Sequence, residues 1–374
     1  TRRGKGSSMI EQKEGLNTIV HFIKDNLFAW VALFGLIFIG ILNQFNMGEN
    51  TTHIFKNIAW HVIGFLIFLI CVFKVDFNKV SPQIYLFSYL FLTLLMFILA
   101  VFKKRWLVIG PLSLQPSEFL KIVLVLLFSY MVSKRRGLPL SPKDWLIFFI
   151  ILIIPLLFLV VVDLDYAFII GGMFFVFFMV LGLPKRFVVG MTVGVLIFSA
   201  LLAPIAWQKL KPHQKGRIYG YLAPEKYYKT WGYQLYQSLI AIGSGGFAGQ
   251  GFRQGWSTRL NYLPAKHTDL AFAVWAEAFG FIGVLFFLSL YGYLLYWGLT
   301  LSQQVKDLFG KYLIVGIVLI LLWQLFFNFG GAMGLLPMTS IPQPFLSYGG
   351  SITITTYLML SFLFNFAKRK SLFK

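Results

Sequence analysis

The chain has 374 residues, 58% of them hydrophobic and 12% charged, with a mean hydropathy of +0.76. No soluble fold hides so large an apolar share, which excludes an ordinary water-soluble enzyme or binding module. The formal charge of +20 invites a nucleic-acid reading, but the basic residues sit in loops between apolar runs without a recognition motif, so anionic membrane lipids are the expected partners and nucleic acid is not.

A helix needs about 20 apolar residues to cross the hydrocarbon core. Such runs are predicted at residues 27–43, 57–73, 84–102, 118–132, 144–162, 166–182, 186–207, 269–298, 310–333 and 349–367. The expected class is all-α, a polytopic integral membrane protein of about ten transmembrane helices. An even count places both termini on one side, and both carry basic clusters: Arg2, Arg3, Lys5 and Lys13 at the start, Lys368, Arg369, Lys370 and Lys374 at the end. The positive-inside rule makes that side cytoplasmic. Lys134, Arg135, Arg136, Lys143, Lys185 and Arg186 fall there too. Two segments that fall outside break the rule, Lys103, Lys104 and Arg105 after the third span and the long segment 208–268 with nine basic residues; long loops translocate whatever their charge, so the orientation stands. The organisation read from this is a cytoplasmic tail 1–26, whose first eight residues look like an expression remnant, one integral domain 27–367 containing an extracytoplasmic loop 208–268, and a cytoplasmic tail 368–374. No internal repeat argues for a transporter, and the single cysteine, Cys71, gives neither a disulfide framework nor a thiol metal site.

Several constellations interrupt the apolar pattern. Gln115 to Lys121 reads QPSEFLK, in which Pro116 and Glu118 suit the first and third positions of a helix. Glu118 and Lys121 lie three apart on one face and can pair, so a structural bridge is expected for Glu118, while Lys121 and Arg105 can face an anionic substrate. Asp163-Leu164-Asp165 has the D-x-D spacing of some metal-dependent glycosyltransferases, a three-residue pattern that carries little weight. The loop 208–268 has two short hydrophobic patches that suggest interfacial helices. It also carries Tyr236-Gln237-Ser238, AIGSGG at Ala241 to Gly246 and Gly249-Gln250-Gly251. Those glycines suit either close backbone approach or flexible punctuation.

Asp269 is the only acid between Glu225 and Glu277 and stands among the nine cations of the preceding segment. It reads either as an ionised carboxylate able to accept a proton or a cation, or, with Thr268, as the cap of the next helix. That helix begins with Ala271, Ala273, Ala276, Ala278, Gly280 and Gly283, small residues that permit close packing, and Glu277 within it is assigned a structural pairing role. From Asn328 onward come Gly334 to Pro337, Ile341 to Phe345 and Ser347 to Ser351, irregular backbone that reads as a re-entrant loop.

With HTD at His267 to Asp269, AIGSGG before it, QPSE at Gln115 to Glu118 and PFLSYGGS at Pro344 to Ser351, the chain resembles the SEDS family (shape, elongation, division and sporulation) from about residue 27 to 367. The resemblance implies a peptidoglycan glycosyltransferase that polymerises lipid II into a lipid-linked glycan strand outside the bacterial cytoplasmic membrane, alongside a class B penicillin-binding transpeptidase. The GLLP and IPQPF segments look more like the elongation branch than the division branch, which is the alternative within the family; a lipid II flippase is the alternative of another class. Carried over by motif, Asp269 is the catalytic carboxylate and Arg105, Lys121, Gln237, Ser347 and Tyr348 line the substrate cavity, with Glu118, His267 and Glu277 in support. No cofactor is required by these residues, and a divalent cation stays open. The chain departs from the family pattern at Ala265 and Lys266, at Asp165 and Tyr166, at Ser340 and at Gln343.

Overall fold

The structure is a computed structural model that describes residues 19–48, 51–110, 112–135, 139–210 and 212–372. The expected remnant 1–8, most of the N-terminal tail, Arg136, Lys211 and the last two residues lie outside the described residues. Helices dominate: α1 (Leu27–Asn46), α2 (Thr51–Phe73), α3 (Pro82–Val101), α4 (Pro116–Lys134), α5 (Pro142–Val162), α6 (Leu164–Val180) and α7 (Lys185–Lys209), then α8 (Pro212–Leu222), α9 (Tyr233–Gly245) and α10 (Trp256–Arg259), and finally α11 (Ala271–Gln304), α12 (Leu308–Ala332) and α13 (Gly350–Leu372). A two-stranded hairpin, β1 (Leu107–Ile109) with β2 (Leu112–Leu114), joins α3 to α4.

Eight of these helices are long and apolar enough to cross a membrane: α1 to α5 and α11 to α13. The 17-residue α6 and the 25-residue α7 coincide with the two other predicted spans. Their starts follow local chemistry. Proline occupies the first turn of α3, α4 and α5, where its missing N–H costs nothing, and Ser141 with Asp144 closes a capping box on α5.

The bundle is inverted with respect to water. Phe28, Phe87 and Phe168 are 69–73% exposed, which water would penalise and hydrocarbon does not. Inside, close contacts use glycine: Gly64 of α2 faces Tyr357 of α13, and Gly316 of α12 faces Val125 of α4. Helix α13 packs most extensively on α2, and α11 on α12, α1 and α9. Almost every described side chain of α7 is exposed. At one end of the bundle lie the turns that carry Asp76, Arg135 and Lys185, with Arg369 paired to Asp76 and Arg135 to Asp144. The opposite end gathers the α3–α4 hairpin, the α5–α6 turn, segment 210–270 and segment 333–349.

Helix α11 is broken rather than continuous. Gly280 stands at φ +62°, outside the helical region, and the freed backbone groups pair with the preceding loop. Gln250 and Gly251 N–H donate to the Glu277 and Ala278 carbonyls (both 2.9 Å), while Phe281 and Ile282 N–H donate to Gly246 and Phe247 (2.9 and 3.1 Å). Unwound backbone in a spanning helix persists only when satisfied internally, and here the glycine-rich loop does so. Gly249 and Gly251 hold φ of +84° and +101° to reach that position. The small residues of α11 thus admit a loop as well as a neighbouring helix.

Candidate active site

The segment preceding α11 is fixed by its carbonyls. Tyr348 N–H donates to His267 O (2.7 Å), Ser347 Oγ to Thr268 O (2.6 Å), Asn328 Nδ2 to Asp269 O (3.2 Å) and Asn43 Nδ2 to Ala271 O (2.9 Å). These donors come from α1, α12 and the segment before α13, so three distant parts of the sequence immobilise five residues. Ser347 Oγ also accepts from Gln343 N (2.8 Å), and Asn328 Nδ2 also reaches Ile341 O (2.8 Å). Ser347 and Tyr348, expected to line a substrate cavity, make their observed polar contacts here with the backbone that carries Asp269. The N-cap of α11 is Leu270, with no side-chain capping bond, so Asp269 does not cap the helix.

Asp269 is half-buried. Burial raises its carboxyl above the ordinary aspartate value; a hydrogen bond from Thr268 and the charge of Arg105 pull it down, and the charge of Asp163 pushes it up. Among the described residues no cation pairs with it directly. The cation whose charge acts on it is Arg105, held at three points: Nη2 to Asp163 Oδ1 (3.0 Å), Nε to Val162 O (3.4 Å) and Nη1 to Ser340 Oγ (3.5 Å). Its side chain remains 40% exposed, a guanidinium anchored on one side and open on the other.

Asp163 enters the sequence reading only through its low-weight D-x-D spacing with Asp165, and the structure places it against Arg105 instead. It sits in the one-residue turn between α5 and α6 with its side chain 1% exposed, and its Oδ1 also accepts from Tyr166 N (3.2 Å). The signal in the sequence is an acid between two uninterrupted apolar runs, with no reason for it in the turn itself. The D-x-D pair does not converge on one point: Asp165 pairs with Arg217 of α8 (3.2 Å). Among the described residues no three His, Cys, Asp or Glu side chains gather as a metal site would need, and no chemical step is assigned to a metal.

Glu118 and Lys121 form the expected pair at 2.6 Å, both nearly inaccessible. Tyr166 donates its hydroxyl to Glu118, and Lys121 Nζ lies 3.5 Å from that hydroxyl. The Lys121 amine is thus enclosed by partners. Gln237 is half-buried on α9 without a hydrogen bond among the described residues; its neighbour Ser238 ties α9 to Ala332 O of α12 (2.8 Å). The His267 ring lies 6.1 Å from that of His53. Glu277, fully buried, accepts from Ser257 N (2.7 Å), Thr258 N (3.2 Å) and Thr258 Oγ1 (2.6 Å), so its partners are the start of α10, some twenty residues earlier.

A multi-pass helical membrane protein with a carboxyl and an anchored guanidinium at one end of its bundle is the class that fold and site define. The chain belongs to the SEDS family: the family FtsW/RodA/SpoVE, described as cell cycle protein, matches residues 21–372. Among its relatives is the peptidoglycan glycosyltransferase MrdB of Escherichia coli K12, 36% identical over 67% of this chain and 67% of that one. The MrdB of Helicobacter pylori 26695 is 33% identical over 83% and 82%. The putative peptidoglycan glycosyltransferase FtsW of Mesostigma viride is 31% identical over 94% and 84%. In three dimensions the chain resembles a chain of a peptidoglycan synthase complex that coordinates polymerization and crosslinking, with a TM-score of 0.72 and 25% identity over 91% of this chain and 98% of that one. It shares its fold with the rod shape determining protein RodA of Thermus thermophilus, with a TM-score of 0.63 and 22% identity over 91% and 95%.

Proposed function

We propose that this chain is a peptidoglycan glycosyltransferase that polymerises lipid II into glycan strands for cell-wall elongation, at the outer face of the bacterial cytoplasmic membrane. The observation that carries it is the lone Asp269 carboxyl, presented on an immobilised backbone within electrostatic reach of the anchored Arg105. Relatives named for this activity support it, and the elongation reading rests on the GLLP segment at Gly334 to Pro337 and the IPQPF segment at Ile341 to Phe345.

Asp269 removes the proton from the 4-hydroxyl of the acceptor sugar as that oxygen attacks C1 of the lipid-linked donor, inverting C1. Burial keeps the carboxyl a stronger base than an open aspartate, and general-base catalysis of this kind supplies about 10²–10⁴-fold. The leaving group is a lipid diphosphate. Arg105 meets its charge without reorganising, because Asp163, Val162 and Ser340 already hold the guanidinium in place. Likeness to a chain of a peptidoglycan synthase complex supports a crosslinking partner, for which a class B penicillin-binding transpeptidase is the candidate.

The test is glycan synthesis from lipid II by the purified chain in detergent micelles, alone and with the transpeptidase. Polymer in micelles supports the enzyme. Its absence in both conditions, with lipid II translocation by the same protein in sealed vesicles, would make the chain a flippase.

A further inference from the structure

The Asp163 carboxylate is the least explained polar group near the site. It is closed off from solvent, carries a charge partner on one oxygen only, and its Oδ2 has no hydrogen-bond partner among the described residues. Capping Tyr166 N would not require a charge, since a neutral amide oxygen accepts the same bond. Burying an aspartate for a cap alone is expensive. Asp165, two residues on, takes Arg217, so the two acids do not compete for Arg105.

We propose that Asp163 is a positioning residue for the reaction, its buried carboxylate fixing the Arg105 guanidinium beside Asp269 and setting the electrostatic field in which Asp269 works. This rests on the glycosyltransferase reading above. Arg105 brings five N–H donors, of which Asp163, Val162 and Ser340 take three, leaving two for an anion. Without Asp163 the guanidinium keeps only a 3.4 Å and a 3.5 Å contact, both at the weak limit for hydrogen bonds. The two charges act on Asp269 in opposite directions: Arg105 favours the ionised carboxyl, and Asp163 disfavours it. The other charged or titratable groups around Asp269 are Lys266 and His267 on its own segment, with His53 of α2 and Tyr348 beside the latter ring. Lys266 is turned to Met47 O and Asn261 Oδ1.

The experiment measures lipid II polymerisation against pH for the wild-type chain with its transpeptidase and for Asp163→Asn, Arg105→Gln and Asp269→Asn, each checked for folding by thermal unfolding. The Asp163→Asn substitution preserves the Tyr166 cap and removes the charge. The expected result for Asp163→Asn is a kcat lower by about tenfold or more with KM little changed. Arg105→Gln moves the acid limb to higher pH, since the charge that favours the ionised carboxyl is gone. A limb unmoved in Arg105→Gln, or an Asp163→Asn enzyme with wild-type kcat, overturns the proposal. If Asp163→Asn fails to fold, the upward shift in Arg105→Gln decides, because its absence removes the field on which the argument depends. Full activity in Asp269→Asn instead overturns the catalytic assignment itself, an outcome distinct from the other two.

Discussion

Replacing Glu277 by alanine strips three donors of their acceptor at once, the Ser257 and Thr258 amides and the Thr258 hydroxyl, at 2.7, 3.2 and 2.6 Å. Ser257, Thr258 and Glu277 are all buried, so water does not replace the lost bonds freely. The hydroxyl can turn elsewhere, but the two amides cannot. At about 1–3 kcal/mol for each buried donor left unsatisfied, the amides alone cost about 2–6 kcal/mol. The loss falls on the segment that pairs with broken α11, so loop 246–262 is expected to open locally before the bundle unfolds. Glu277→Gln keeps one acceptor oxygen and is expected to lose about half as much. Hydrogen exchange of the 257 and 258 amides, with thermal unfolding in detergent, measures both effects. Amides as protected in Glu277→Ala as in the wild type would refute the reasoning, because their protection would then not come from the Glu277 carboxylate.

Gly280→Ala places a Cβ against the backbone of Ala248 and Gly249 at a positive φ. It should cost at least about 1–3 kcal/mol and lower the unfolding temperature, which calorimetry in detergent would register. Ser347→Ala removes the bonds to Thr268 O and from Gln343 N; a loss of about 1–2 kcal/mol and a fall in kcat larger than any change in KM are expected in steady-state polymerisation assays. Because the folded chain holds Asp269 above the ordinary aspartate value, folding binds its proton more tightly than the unfolded chain does, and stability falls as pH rises through that window. Asp269→Asn is therefore expected to unfold at the same or a higher temperature than the wild type at neutral pH, the gap closing as pH drops towards the ordinary aspartate value.

Hydropathy alone located the spanning helices because a span must be apolar along its whole length. The prediction 27–43 meets α1 at Leu27–Asn46, and 118–132 meets α4 at Pro116–Lys134. The pairing of Glu118 with Lys121 was equally legible, being local to one helical turn. Residues whose partners are distant in sequence were not. Asp163 found its partner only when the α3–α4 connection brought Arg105 to the α5–α6 turn, and Glu277, legible as a paired acid, showed its partners only when α10 folded back on α11. Gly280 read as one small residue in a packing stripe, whereas its positive φ depends on a loop some thirty residues earlier supplying four hydrogen bonds. Ser347 lay in a motif that suggested a ligand, and the contact found is the Thr268 carbonyl beside Asp269.

The most direct test of the central claim is single-turnover polymerisation of lipid II by the wild-type chain and by Asp269→Asn, each with its transpeptidase and each shown to be folded. The account predicts glycan from the wild type and a loss of about 10²-fold or more in the variant, at an unfolding temperature no lower. A folded Asp269→Asn protein that polymerises at the wild-type rate would contradict it.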